Sequence, residues 1–492
     1  MASFSRSVSI TVLALFTLAI SPHVQAQNHF GPSGDGRHGG DTTPTNSSGG
    51  AQDPGPRAGT VNAGTPLSSL TPAQLQFFQD GLSRFLQVDS VSGQMAGEPG
   101  VGLGPGFNSN SCGSCHGQPA VGGSSPSTQY YPFVGPNPQV AAATDYGGAN
   151  SVPFFIALDG PVREARFPFA VSASGSITTT PDGGVHDVFS IAGRQDAEGC
   201  VMPQPNFEQM NKIGNLIFRI PTPTFGAGLI ENIPDATIVA NMTANASLKQ
   251  QLGISGHPNY SGNDGSITRF GWKAQNKSLV IFSGEAYNVE MGVTNEAFPN
   301  ERANPPSSCL YNATPEDETN FASSGYAIPS DIIEFSNFMR FLGPPAPSTT
   351  GIPGNPSAQS VAAGQAIFKQ IGCTACHTPS LQTGPSNLTS GLSNQQVALY
   401  SDLLVHSMGS GLADNVAQGS AGPDEFRTAP LWGVGQRIFF LHDGRSGPAN
   451  GGLLNAIEAH ASSGSEANRV INQFNNLSPN QKQELLNFLR SL

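Results

Sequence analysis

The chain has 492 residues, 37% of them apolar and 29 of them Phe, enough for two or three domains with buried cores. Charged residues make up only 11%, well below the usual quarter, and 59 Gly with 40 Pro call for long loops. A formal charge of −12 argues against nucleic acid as a partner and leaves room for a basic protein.

Arg6, the short apolar run Ile10 to Ile20, and Val24 with Ala26 read as a signal peptide over 1–26, with a mature chain from Gln27. The run is too short to cross a bilayer, and no later segment holds eighteen continuous apolar residues. The expectation is a periplasmic or otherwise exported protein without a membrane span in its mature chain. Residues 27–65 are rich in Gly, Pro, Ser, Thr and Asn, as at Gly31-Pro32, Asp35-Gly36 and Gly39-Gly40. They read as a disordered lead-in, with His29 and His38 solvated.

Order is expected near Thr71, which can cap a helix with Pro72 in its first turn and Leu75, Phe78, Leu82 and Phe85 at helical spacing. The long middle, about 120–340, mixes loops with short strand-like runs such as Phe154-Phe155-Ile156-Ala157. Phe335 to Leu342 reads as a helix end, stopped by Gly343-Pro344-Pro345. Residues 346–360 read as a linker, and Val361 to Ile371 as the helix opening a second unit. The chain closes in a helix capped by Ser478, with Pro479 in the first turn, Gln481 as capping-box partner, and Leu485, Leu486, Leu489 and Leu492 on one face.

Cys-x-x-Cys-His occurs twice, at Cys112–Cys115–His116 and Cys373–Cys376–His377. Two cysteines three apart can form thioethers to the vinyl groups of one haem, and the adjacent histidine can face its iron. Zinc would need further thiols or imidazoles in sequence reach, and a redox dithiol does not call for the histidine. Two covalent haems c are therefore expected, one in each unit. The remaining cysteines, Cys200 and Cys309, can pair in an oxidising compartment if the fold brings them together. Met408 is the candidate second ligand at the second iron and would raise its potential, with His406 as its rival. At the first iron His186, His257 and an open position all stand.

Several stretches resemble a known family. They include Leu103-Gly104-Pro105-Gly106-Phe107-Asn108, Arg219-Ile220-Pro221-Thr222-Pro223, Phe225-Gly226-Ala227-Gly228-Leu229-Ile230-Glu231 and Arg269-Phe270-Gly271-Trp272-Lys273-Ala274. Glu290-Met291-Gly292-Val293-Thr294, Phe426-Arg427-Thr428-Ala429-Pro430-Leu431-Trp432-Gly433 and Leu441-His442-Asp443-Gly444-Arg445 continue the likeness. Over roughly 70–492 the chain resembles the di-haem oxidoreductase, or di-haem peroxidase, group, related to bacterial di-haem cytochrome c peroxidases. The resemblance implies a mainly α fold of two cytochrome-c-like haem domains. The first, 66–345, would carry a large insertion rich in loops and short strands, and the second would span 361–492.

The resemblance also implies one electron-transfer haem and one haem that meets peroxide. Glu290 of the Glu290-Met291 pair is the candidate proton-handling residue, with Glu231 as the alternative. Arg427 and Arg445 are candidates for haem propionates, and Trp432 or Trp272 for a place beside or between the haems. A Ca2+ ion between the domains, a small redox protein or other electron donor, and hydrogen peroxide or another small substrate complete the expectation. Family members often carry Asp at the positions of Glu290 and Ser407, and Arg163 to Asn215 resembles the group poorly. Two other functions stay open: a di-haem electron carrier without peroxidase activity, and an oxygenase-type or protein-modifying enzyme. Iron coordination separates them, because peroxide chemistry needs an open or displaceable position.

Overall fold

A computed structural model describes residues 50–492 apart from 60, 61, 126–135, 146–148, 303 and 321–328. The expected signal segment, His29 and His38 lie outside the described residues. The described residues form one compact unit, with no separation at the expected linker. The chain is mainly α: its helices reach fifteen residues, whereas its longest strand has five. No helix among the described residues is long and apolar enough to cross a membrane.

Six helices frame the site: α1 (Pro72–Leu86), α2 (Leu279–Met291), α3 (Asp331–Phe341), α4 (Ala358–Gln370), α5 (Gly452–Glu458) and α6 (Pro479–Ser491). Local signals set several of their ends. Thr71 and Ser478 each accept from the backbone N–H three residues on, and the Gln at that position accepts from the cap's own N–H. Phe78 and Phe85 of α1 are buried as the spacing predicts. So are Leu485, Leu486 and Leu489 of α6.

The two ends of the chain repeat one arrangement. Helix α1 packs on α3, and α4 packs on α6. Each crossing is closed at a glycine. A methyl group on Gly81 would run into the carbonyl oxygen of Glu334, and one on Gly364 into that of Glu484. Four residues after each glycine comes a phenylalanine that packs on a partner-helix ring, Phe85 on Phe338 at 4.7 Å and Phe368 on Phe488 at 5.5 Å. The same two rings touch His116 and His377. The G-x-x-x-F spacing before each Cys-x-x-Cys-His is thus a helix-crossing signal that also supports the histidine.

Between these ends the chain runs through loops and short strands. β1 (Glu164–Arg166) is the centre of a three-stranded antiparallel sheet with β2 (Val185–His186) and β3 (Ile217–Arg219), and its register sets Glu164 opposite Arg219. A hairpin pairs β4 (Val405–Ser407) with β5 (Glu425–Arg427), His406 facing Phe426. Cys200 and Cys309 form a disulfide.

Three expectations differ from the structure. Phe154-Phe155 forms a turn, with Ile156 N–H donating to Pro153 O at 3.0 Å; Phe155 and Ile156 are buried without a strand partner. Residues 50–59, expected as disordered lead-in, are docked on the end of the chain. Asp53 pairs with Arg490 at 2.5 Å, and Arg57 N–H donates to Gly435 O at 2.8 Å. The expected linker is likewise seated, with Ile352 buried and Ser348 N–H donating to Ser491 O. Polar composition suggests solvation, but these segments find ion pairs and carbonyls in the folded body.

Candidate functional site

Each Cys-x-x-Cys-His lies in the wall of its own cavity. The first cavity encloses about 1120 Å³ and the second about 1400 Å³, open mouths included. Cys112 to Cys115 forms one helical turn after α1, and Cys373 to Ala375 a tighter turn directly after α4. His116 and His377 follow, each with Nδ1 facing a backbone carbonyl, Gly123 O at 3.0 Å and Tyr400 O at 2.9 Å. A carbonyl can only accept, so Nδ1 carries the proton and Nε2 keeps its lone pair, the arrangement that orients a metal-ligating imidazole. Burial holds both rings neutral, with pKa values lowered to about 4.

The two cavities differ in what else they contain. The first gathers Arg163, Glu164, Arg166, Arg219, Gln275, Glu285 and Glu290 around Cys112, Cys115 and His116. Glu290 sits near the end of α2, and its exposed part faces the cavity. Its carboxyl is pushed well above the usual range, by burial first and then by the like charge of Glu164. Glu164 is held low: burial opposes its ionisation, but Arg166 and Arg219 outweigh it.

The second cavity is lined mostly by apolar side chains, among them Phe368, Leu412, Phe426, Leu431, Phe440 and Val470. Two guanidiniums break that lining. Nη1 of Arg427 and Nε and Nη2 of Arg437 are buried without a hydrogen-bond partner, and neither residue has an ion pair among the described residues. Burial lowers both pKa values to about 10. Buried charges are normally paired, so two lone guanidiniums in one wall fit an acidic group on a bound molecule.

Met408, His406 and His460 also line the second cavity. Both ring nitrogens of His406 are engaged by carboxylates, Nδ1 with Glu466 at 2.7 Å and Nε2 with Asp402 at 3.0 Å. Cys376, Asp402 and His406 come close enough to hold a metal ion, but the two carboxylates already account for the ring. His460 follows α5, and its Nδ1 faces Ala456 O at 2.7 Å, leaving Nε2 with its lone pair as in His116 and His377. Trp272 lies in the walls of both cavities, its Nε1–H donating to Ile220 O at 2.8 Å and its ring edge against His442.

Other expected site residues lie elsewhere. Glu231 lines neither cavity. Its Oε1 accepts from Leu279 N–H at the start of α2, and its Oε2 pairs with Arg340 of α3 at 2.8 Å. In this place it pins the start of α2 to α3. Arg445 is half-exposed and bound to Asp443 and Gly411 O, each at 2.6 Å, so it ties its turn to the loop at Gly411. Trp432 packs on Gly226 and borders a small cavity beside the two large ones. His186 stacks on Phe167 and meets Asp182, and His257 meets Glu425. Neither lines a cavity.

A family model described as "Di-haem oxidoreductase, putative peroxidase" matches residues 176–492, well over half of the chain. The chain belongs to this family. Membership gives this di-haem oxidoreductase a peroxidase-like role in general terms. The match includes the second Cys-x-x-Cys-His, Glu290 and Trp272, and begins after the first motif and β1. No curated protein matches the chain. Among solved structures, a Kuenenia stuttgartiensis hydrazine synthase pressurised with xenon is similar over 33% of this chain at 17% identity, with a TM-score of 0.21. The alignment spans about half, 55%, of that hydrazine synthase chain. A MauG-like protein associated with microbial copper homeostasis is similar over 55% of this chain and 89% of its own, at 14% identity and a TM-score of 0.25.

Glu164, Arg166, Arg437 and His460 were not legible as site residues in the sequence. The Glu-x-Arg alternation of β1 is a signal for the first two, because residues two apart share a face of a strand.

Proposed function

We propose that the chain is an exported di-haem c-type oxidoreductase that reduces hydrogen peroxide at the first cavity, with electrons entering by way of the second. The observation that carries this reading is Glu290, a carboxyl in the wall of the first cavity that burial and Glu164 push well above the usual range, whereas Glu466, the carboxyl lining the second cavity, is despite its burial held low by His406. Cys112, Cys115 and His116 would hold one haem, and Cys373, Cys376 and His377 the other, in two cytochrome-c-like halves. When bound, the haems supply one-electron redox chemistry and the iron at which a peroxide O–O bond is cleaved.

The protein's own groups do the rest. His116 and His377 present neutral Nε2 atoms, oriented by the carbonyls of Gly123 and Tyr400. Arg427 and Arg437 would pair with propionates in the second cavity. His460, with a free Nε2, would be the stronger candidate to hold that iron, with Met408 as the other, while two carboxylates engage both ring nitrogens of His406. Glu290 can take a proton from one peroxide oxygen and return it to the other, the acid–base work that cleavage requires. Trp272, in both walls, is the aromatic contact through which electrons would cross. A small redox protein outside would supply them.

The test compares two double variants. Cys112→Ala with Cys115→Ala should leave one covalent haem by mass and abolish peroxide reduction. Cys373→Ala with Cys376→Ala should also leave one haem, but block donor oxidation while the first site still binds small ligands. Two haems remaining in either variant, or peroxide turnover in the first, would overturn the proposal.

A further inference from the structure

Glu164 and Arg166 lie two apart on β1 and both line the first cavity, where Glu290 reaches them from α2. The Glu164 and Glu290 carboxyls share the cavity wall and lie within hydrogen-bonding reach of each other. Two carboxyls can bond in this way only when one of them carries a proton. Arg166 decides which. Its Nε donates to Glu164 Oε1 at 2.6 Å, with both side chains nearly buried. The other charges facing the pair are committed elsewhere. Arg219 is bound to Asp414 at 2.6 Å, Arg302 is paired with Asp187, and Glu285 accepts from Asn276 and Gln275.

We propose that Glu164 is the positioning residue of the first site: anchored by Arg166, it keeps the shared proton on Glu290 and aims that carboxyl into the cavity. The proposal rests on the reading of Glu290 given above and adds what sets its protonation. Burial and the charge of Glu164 both favour the proton on Glu290, while Arg166 and Arg219 favour an ionised Glu164. A neutral partner in place of Glu164 would leave Glu290 facing Arg166 directly, and Glu290 would then ionise more readily.

Infrared difference spectroscopy on the full haem-attached chain reads this directly. The wild type should show a protonated-carboxyl C=O band at neutral pH that shifts in D2O and is lost in Glu290→Gln. In Glu164→Gln the band should titrate away about one to three pH units lower. In Arg166→Gln it should persist to higher pH. Opposite shifts in the two variants cannot come from misfolding alone, and the pH profile of the peroxide rate in Glu164→Gln should move with the band. An unchanged titration in Glu164→Gln, shifts of the same sign in both variants, or no wild-type band would overturn the proposal. A band that behaves as expected while Glu290→Gln leaves the peroxide rate unchanged would uphold the pair and refute the peroxidase role of Glu290.

Discussion

The two Cys-x-x-Cys-His sites share a local design and differ in their surroundings. In both, a helix with a glycine crossing leads into the motif, a phenylalanine touches the histidine, and a carbonyl fixes the histidine's tautomer. The second is then closed by apolar side chains and two unpaired arginines, a wall suited to holding an acidic cofactor. The first is closed by a carboxyl pair and arginines, a wall suited to moving protons. The shared part attaches and orients; the part that differs assigns the work. One fold can run two tasks when only the far wall of each cavity changes.

The crossing glycines test the shared part. Gly364→Leu and Gly81→Leu should each destabilise by roughly 3 kcal/mol or more, since the added side chain meets a backbone carbonyl that cannot yield. Thermal unfolding reads the cost, and similar losses at both sites would support equivalent crossings.

Axial ligation sharpens the contrast. His460→Met should raise the potential of the second haem, because a Met sulfur opposite His stabilises the reduced iron. Met408→Leu should leave that potential nearly unchanged. A redox titration in which only Met408→Leu moves the potential would restore Met408 as the ligand.

Arg437→Gln separates haem-free from haem-bound protein. It removes a buried, unpaired cation, so the haem-free chain should gain about 1–3 kcal/mol of stability in denaturant unfolding. The haem-bound chain should lose stability by a similar amount as a propionate loses its partner. Equal effects in both forms would mean that Arg437 meets no acidic group.

The first half also carries a buried carboxyl apart from the pair in the cavity wall. Asp89 is nearly fully buried and accepts from Tyr287 OH at 3.0 Å, and burial, the largest cause, raises its pKa to about 7. Its proton is bound more tightly in the folded than in the unfolded chain. The stability from that proton is therefore full below about pH 4 and is lost as pH rises toward 7, by at most about 1.4 kcal/mol per pH unit. Asp89→Asn should flatten this slope in melting curves taken across that window, without changing either haem's attachment.

What was legible in the sequence was local. The motifs, the caps at Thr71 and Ser478 and the apolar face of α6 depend on neighbours within a few residues. The Glu290-Met291 pair was found by resemblance, and it does line a cavity. Glu164 was hidden because its meaning depends on Arg166, on Arg219 across the sheet and on a helix more than a hundred residues later. His460 belongs to no motif in the sequence, and only the turn after α5 brings its Nδ1 to the Ala456 carbonyl. Glu231 drew attention as an alternative proton-handling carboxyl and Arg445 as a guanidinium for a propionate, yet each forms an ion pair that secures the backbone. Residues 50–59 look solvated by composition and are anchored by the ion pair of Asp53 with Arg490, by the Arg57 side chain on Leu492 O and by backbone bonds.

The assignment of chemistry to the first cavity is tested most directly by rapid mixing with hydrogen peroxide, the protein being poised with its second haem reduced and its first oxidised. Glu290→Gln keeps the size of the side chain and removes its acid–base group. The peroxide-dependent rate should fall on the order of 10²–10⁴-fold, with two haems still attached and the second haem's potential unchanged. Equal rates in wild type and variant would contradict the role of Glu290, and no reaction in the wild type would make the chain an electron carrier instead of a peroxidase.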